Sequence, residues 1–376
     1  MAQPWDKWIP GVLSRRQVWK LHEEGLLHGI ESRESIDHSS LDLHLTDEGY
    51  RLKGGSVKPC GGGFLRSLVD QDLAERIFPD SDQVFELQPK RTYLFRLRES
   101  LGALGDTAIY GRATAKSSIG RVDVLARLIV DGAKTYERFD PQDLTSNLTE
   151  MYLEVTPITF PVAVRPGVKL TQLRFFYGIP EYSEMAGPEV KKTCFSDPDK
   201  TDSDLSVDLE PILIREVPTV GFRAKSNEVH KPVRLWGQGH TDPKPYWELE
   251  PSDEHRRLAI TEDEFYILRS RERLRVPPGL AVYARASDEE IGEMRIHYAG
   301  FAHPYFGWKR DDGKVGTPLI FEVRGHSVNV SLLHGEVLAR LRFFRMSQRA
   351  KLEDFDDNNY NEQELQLSKF FKAWDC

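Results

Sequence analysis

Cysteine is scarce in this chain: Cys60, Cys194 and Cys376 are all there is in 376 residues. They are odd in number and far apart, which argues against a disulfide framework and for a reducing, cytoplasmic setting. Long apolar runs are missing too. The most apolar stretch, residues 124–130, is short and contains Arg127, whereas roughly 20 apolar residues span a bilayer. The opening residues, MAQPWDKWIPGVL, lack a basic segment followed by an apolar one, so no signal peptide and no membrane partner are expected. Positive charge is not in excess. Lys and Arg total 51 against 59 Asp and Glu, a formal net charge of −8. That disfavours a nucleic-acid binder working through a generally basic surface. It leaves room for a small anion held by one local set of donors. With 39% hydrophobic and 29% charged residues the composition is soluble and globular. At roughly 150 residues per domain the length suits two or three domains.

What the chain does have is a repeat. Residues 153–176 (LEVTPITFPVAVRPGVKLTQLRFF) align without a gap on residues 321–344 (FEVRGHSVNVSLLHGEVLARLRFF) at an offset of 168. Residues 92–101 (TYLFRLRESL) match residues 265–274 (FYILRSRERL) at an offset of 173. A unit this long is no solenoid repeat. Two tandem homologous domains are expected, 1–195 and 212–376, joined by an exposed polar linker at 196–211 (SDPDKTDSDLSVDLEP). Within each copy the apolar period is mostly two. FPVAVRPGVKLTQLRFF reads as a hairpin about Pro166-Gly167, and residues 328–332 read likewise before a turn at His334-Gly335. Helical patterning is confined to residues 14–27 and 65–78. The expected fold is mainly β, with short peripheral helices.

Familiar catalytic signatures fail one by one. Zinc deaminases of bases use H-x-E followed by P-C-x-x-C. His22-Glu23-Glu24 fits the first half only inside an amphipathic helical pattern, and Pro59-Cys60 runs into three glycines without a second cysteine. No G-x-x-x-x-G-K-[ST], no G-x-G-x-x-G after a strand and no G-x-S-x-G is present. The informative segment is residues 115–121, AKSSIGR, after an expected strand at 107–110. Two hydroxyls, a glycine, Lys116 and Arg121 make a compact set of anion donors. A solvated polar turn has the same composition. The second copy separates the two readings. At the equivalent place, residues 287–293, it has SDEEIGE, with Asp288, Glu289, Glu290 and Glu293 where a phosphate would be repelled.

The opposite asymmetry follows. The second copy has an aromatic, small-residue run at 298–308 (YAGFAHPYFGW), suited to a hairpin packed on a flat ring, although such a run can equally be core. The first copy has LARLIVDG instead. Glu154 and Glu322 each sit within an apolar strand, where desolvation would raise a carboxyl toward acid–base use. Alternation along a strand also allows either to face solvent.

These segments carry a resemblance. AKSSIGR resembles the phosphate motif G-R-S-S-L-[AG]-R of the dCTP deaminases, relatives of trimeric dUTPases. AGFAHPYFG is similar to the family's A-G-x-I-D-x-G-[FW]-x-G hairpin, and LEV and FEV to the strand bearing its catalytic glutamate. Ser39-Ser40-Leu41-Asp42-Leu43-His44-Leu45 resembles the early D-[VL]-R-L strand, and Tyr360-Asn361-Glu362-Gln363 the Y-x-x-Q-G tail that folds over the triphosphate. The double length is similar to bacterial two-domain dCTP deaminases. The resemblance implies two β-clip domains, a dUTPase-like distorted barrel used twice. It implies zinc-independent hydrolysis of dCTP to dUTP and ammonia, Mg²⁺ accompanying the triphosphate, and self-association into a homo-oligomer. Three departures stand out. Lys116 replaces the family's usual Arg, His303 its usual Asp, and Glu364-Leu365 follow Gln363 where Gly is usual.

The two losses are complementary. The first copy keeps the loop (Lys116, Ser117, Ser118, Arg121). The second keeps the hairpin (Ala299, Gly300, Phe301, His303), Glu322 and the Tyr360/Gln363 tail. One working site built from both copies is expected, with Glu322 rather than Glu154 activating water and Arg121 beside it. The sequence leaves open whether both halves of the site come from one chain. It also leaves open a dUTPase, a bifunctional enzyme ending at dUMP, and a non-catalytic nucleotide-binding regulator. His303 in place of the water-holding Asp counts against the dUTPase.

Overall fold

The structure, a computed structural model, describes residues 4–374 except 145, 227, 229, 252, 287–293, 298–299, 309–311 and 352–362; for the strand Met294–His297 only the backbone is described. The sequence repeat becomes a topological one. In the first half the strand Thr149–Pro157 lies between Tyr93–Leu101 and Val124–Val130. In the second half Thr317–Gly325 lies in the same way between Phe265–Leu274 and Met294–His297. The LRFF strands match too. Lys169–Tyr177 pairs with Ile109–Ala115, and Val337–Arg345 pairs with Leu280–Ala286. All of these pairings are antiparallel. The chain is mainly strand, with short helices at the periphery, as the period of two predicts. Among the described residues no helix is long and apolar enough to cross a membrane.

Three local expectations are corrected. The first helix forms at Arg15–Glu23, where the Ser14 N–H donates to Gln17 Oε1 at 3.0 Å, and it stops before Leu27, which enters the strand Leu27–His28. The second is only Phe64–Asp70. Residues Ala74–Ile77 instead pair with Leu41–Leu52, because a sheet edge offers their backbone groups partners that an isolated helical end would not. The turn at Pro166-Gly167 exists, but the flanking strands are no hairpin. Val162–Val164 pairs with Phe85–Leu87, while Lys169–Tyr177 pairs with Leu41–Leu52 and Ile109–Ala115. Both strands are buried along nearly their whole length, a demand that a two-stranded ribbon cannot meet. The second half repeats this divergence: Val330–Leu333 pairs with Arg257–Ile260.

The stretch 196–211 is not an exposed tether. Asp204–Ser206 pairs with Val337–Arg345, and Leu205, Val207 and Leu209 are fully buried in the second half's core. Its alternating leucines and valine were the signal, masked by acidic neighbours. The halves are interlocked. Val233–Arg234 adds in parallel to Val162–Val164, Phe176 packs on Phe344 with ring centroids 5.6 Å apart, and Leu365, Leu367, Phe370 and Phe371 of the C-terminal segment lie in an apolar core built from both halves.

Candidate active site

The strand Ile109–Ala115 delivers the loop directly. Lys116 follows it in extended conformation, Ser117–Gly120 make one helical turn, and Arg121 closes it. A single turn points successive side chains in different directions. Ser117 is exposed and faces a cavity of about 470 Å³, whereas Ser118 is buried and lines a smaller neighbouring one. The Ser118 carbonyl accepts a hydrogen bond from Ser368 Oγ at 2.7 Å. Arg121 is almost wholly buried and reaches across to the second half. Its Nη2 donates to Gln363 Oε1 at 2.6 Å. Gln363 is held in turn by donating to the Pro318 carbonyl at 2.9 Å.

The same cavity is walled from the second half by Gly300, Phe301, His303 and Glu322. Loop, hairpin, glutamate and tail, which the sequence distributes over two copies, therefore converge within one chain. Ala299 and Tyr360 lie outside the described residues, as does the acidic segment 287–293. Glu322 projects from Thr317–Gly325 and is only 5% exposed. Burial pushes its carboxyl up to about 8, with Arg121 acting against the shift and Asp123 with it. His303 is partly buried, its side chain 16% exposed. Its Nδ1 lies 3.2 Å from Ser39 Oγ and its Nε2 lies 3.5 Å from Asp37 Oδ2. Burial pushes this imidazole down to about 3, against the pull of Asp37 and with the help of Arg174, so it is neutral at physiological pH. The guanidinium carbon of Arg174 sits 3.2 Å from the centroid of the Phe301 ring.

Glu154 takes no part in this cavity. Its carboxylate is paired with Arg127 and accepts a hydrogen bond from Tyr136 OH at 3.0 Å. Lys116 reaches the cavity but is ion-paired with Asp42, whose other oxygen lies 3.5 Å from Lys169. His22 and Cys60 stay apart from each other's chemistry: His22 Nδ1 lies 3.0 Å from the Leu27 carbonyl, and Cys60 is exposed and free. Among the described residues no three His, Cys, Asp or Glu side chains converge as a metal cage.

Sequence reasoning missed Asp37, His38, Gln172 and Lys369, which also line the cavity. Asp37 and His38 directly precede the Ser39-Ser40 motif, so adjacency was an available signal. Lys369, lying between Ser368 and Phe370, carries none.

Fold and cavity define a class: a dUTPase-like β protein of two like halves that share a cavity of nucleotide size. The comparisons give the family. Residues 9–179 match the model of the 2′-deoxycytidine 5′-triphosphate deaminase N-terminal domain, and residues 189–371 match that of its C-terminal domain. The chain belongs to the dCTP deaminase family as a two-domain member, and is an enzyme of that class. The crystal structure of 2′-deoxycytidine 5′-triphosphate deaminase from Agrobacterium tumefaciens superimposes with a TM-score of 0.80 at 30% identity, covering 90% of this chain and 96% of that one. A sequence search of curated proteins found no match.

Proposed function

We propose that the chain converts dCTP and water into dUTP and ammonia at the one cavity shared by its halves, with Glu322 moving the protons. The carboxylate of Glu322 takes a proton from water as its oxygen bonds to C4 of the cytosine. The resulting carboxylic acid returns a proton to the amino group, and the C4–N bond breaks to release ammonia. A group raised to about 8 suits both directions of this transfer near neutral pH. The observation that carries the reading is the juxtaposition itself. A desolvated glutamate of the second half and the anion donors Lys116, Ser117 and Arg121 of the first half line the same cavity.

The triphosphate falls to the loop. Lys116 must exchange Asp42 for phosphate, and Arg121, already bridged to Gln363, orients the tail over the ligand. Gly300, Phe301 and His303 flank the sugar and base. Mg²⁺ belongs to this proposal as a passenger of the phosphates. With no acidic cage among the described residues, phosphate oxygens would be its ligands, the mode this ion commonly uses. Zinc has no part in the proposed steps. Self-association of chains is carried in the same proposal, although the described wall of the cavity comes from one chain.

The test is ammonia release with dCTP, dUTP and dCMP as substrates in the presence of Mg²⁺. Ammonia from dCTP alone is expected, undiminished by a zinc-selective chelator. Loss of activity with that chelator, restored by zinc, or pyrophosphate from dUTP without ammonia from dCTP, would overturn the reading.

A further inference from the structure

Two residues beyond Arg121, and two residues beyond Glu322, the halves are bonded to each other. Asp123 follows the loop and is fully buried, with a left-handed φ of 56°. Arg324 follows Glu322 on the same strand. A spacing of two puts Glu322 and Arg324 on one face. Arg324 Nη2 is paired with Asp123 Oδ2, and the hydroxyl of Thr159 donates to that same oxygen at 2.6 Å. Arg324 Nη2 also reaches Thr159 Oγ1, and its Nη1 donates to the Asp263 carbonyl. Asp123 is pinned as well at its backbone. Its N–H donates to Gly120 at 2.8 Å, and its carbonyl accepts from Ile158 at 2.9 Å.

Stability is a poor reason for such a bond. Desolvating two charges offsets most of their attraction. Here Asp123 Oδ1 and Arg324 Nε are buried with no hydrogen-bond partner among the described residues, so the offset is larger still. Register is the better reason. The repeat makes the bond one-way. At the offset relating Ile119 to Ile291, Asp123 corresponds to Arg295, and at the offset relating Glu154 to Glu322, Arg324 corresponds to Thr156. Swapping the roles of the two halves would set an arginine against a threonine. The ion pair forms only in the pairing that brings the anion-binding loop to Glu322.

We propose that Asp123 and Arg324 are positioning residues, an ion pair between the halves that sets the Arg121 loop against the Glu322 strand and so assembles the composite site. This rests on Glu322 being the group that activates water. Neither residue lines the cavity, so both act through their neighbours two positions away.

The test is steady-state deamination of dCTP by the full chain carrying Asp123→Asn, Arg324→Gln, both together, or Arg324→Lys. Misplacing a reacting group by about 1 Å costs on the order of 100-fold. Each charge-removing single variant should therefore lower kcat by about 30- to 100-fold, with KM within about threefold of the parent. The double variant should be no worse than the poorer single, because the residues act as one unit. Arg324→Lys, which keeps the charge, should recover most of the loss. If removing a charge prevents folding, Thr159→Val keeps both ions and should still lower kcat about 3- to 10-fold at unchanged KM. Folded variants with parental kcat, whatever their melting temperature, would overturn the proposal, as would additive losses or a change confined to KM. A parent chain releasing no ammonia from dCTP would refute the base assignment and this inference together. Normal parental turnover with unaffected variants would refute this inference alone.

Discussion

Glu322 and Glu154 occupy equivalent positions in the two halves and meet opposite surroundings. Glu154 is neutralised by Arg127 and tied to Tyr136, so its burial is compensated. Glu322 lines the cavity and is held up at about 8 chiefly by desolvation. That arrangement has a stability consequence of definite sign. In the unfolded chain this carboxyl loses its proton near 4.5; in the folded chain it keeps the proton to about 8. Folding therefore retains a proton across that window, and the contribution of Glu322 to stability falls as pH rises from 4.5 to 8. Glu322→Gln removes the ionisation. Relative to the parent it should gain stability on the order of a few kcal/mol at pH 8.5 and almost nothing at pH 4.5. Melting temperatures of both proteins across that range check it; a difference that stays constant with pH would contradict it. The activity counterpart is a kcat/KM that climbs with pH and levels off near 8. Both glutamates look alike in sequence, Leu-Glu-Val and Phe-Glu-Val. What separates them is the partner set: Arg127 and Tyr136 close over Glu154, while Gly300 and Phe301 leave Glu322 facing a cavity. Lys369 was illegible for a related reason, since only closure of the chain brings it to the cavity wall.

The elements show where periodicity suffices and where it does not. The strand Tyr93–Leu101 alternates strictly on one face, whereas Phe265–Leu274 is buried on both faces over its first six residues. The false hairpins at Pro166-Gly167 and His334-Gly335 share that alternation; strand pairing is decided by neighbours that alternation does not encode. The aromatic run of the second half turned out divided. Phe301–Ala302 pairs with Leu280–Ala286 and Phe301 lines the cavity, whereas Tyr305 is core, its OH donating to the Ala350 carbonyl at 3.1 Å. Gly307 anchors this segment. It has φ of +65°, and a Cβ there would stand 2.0 Å from the Leu274 carbonyl oxygen. Gly307→Ala should cost about 1–3 kcal/mol from the backbone conformation alone, with the clash added. It should also lower dCTP turnover, because Phe301 and His303 lie a few residues upstream. Chemical denaturation and steady-state kinetics of the variant test both points; parental stability would show that the segment has another anchor.

At the scale of the whole molecule, the two halves repeat one topology but line the shared cavity with different residues. Lys116, Ser117 and Arg121 come from the first half, and Gly300, Phe301, His303, Glu322 and Gln363 from the second. Apolar contacts cross their junction at Phe176 and Phe344 and at Trp247 against Phe160, 5.4 Å apart, and the C-terminal segment joins a core built from both halves. That the loop of the first half and the glutamate of the second line one cavity was foreshadowed in the sequence, because charge reversal in one copy and hairpin loss in the other are sequence events. That one chain supplies both parts was not, since no pattern along a chain reports which of its surfaces meet. The most direct test compares ammonia release from dCTP, per folded molecule, by Glu322→Gln and Glu154→Gln. Loss of the group that moves the proton should lower kcat for Glu322→Gln by at least about 100-fold while dCTP still binds. Glu154→Gln should turn over within a few-fold of the parent, whatever stability it loses with its ion pair. A dead Glu154→Gln beside an active Glu322→Gln would contradict the account.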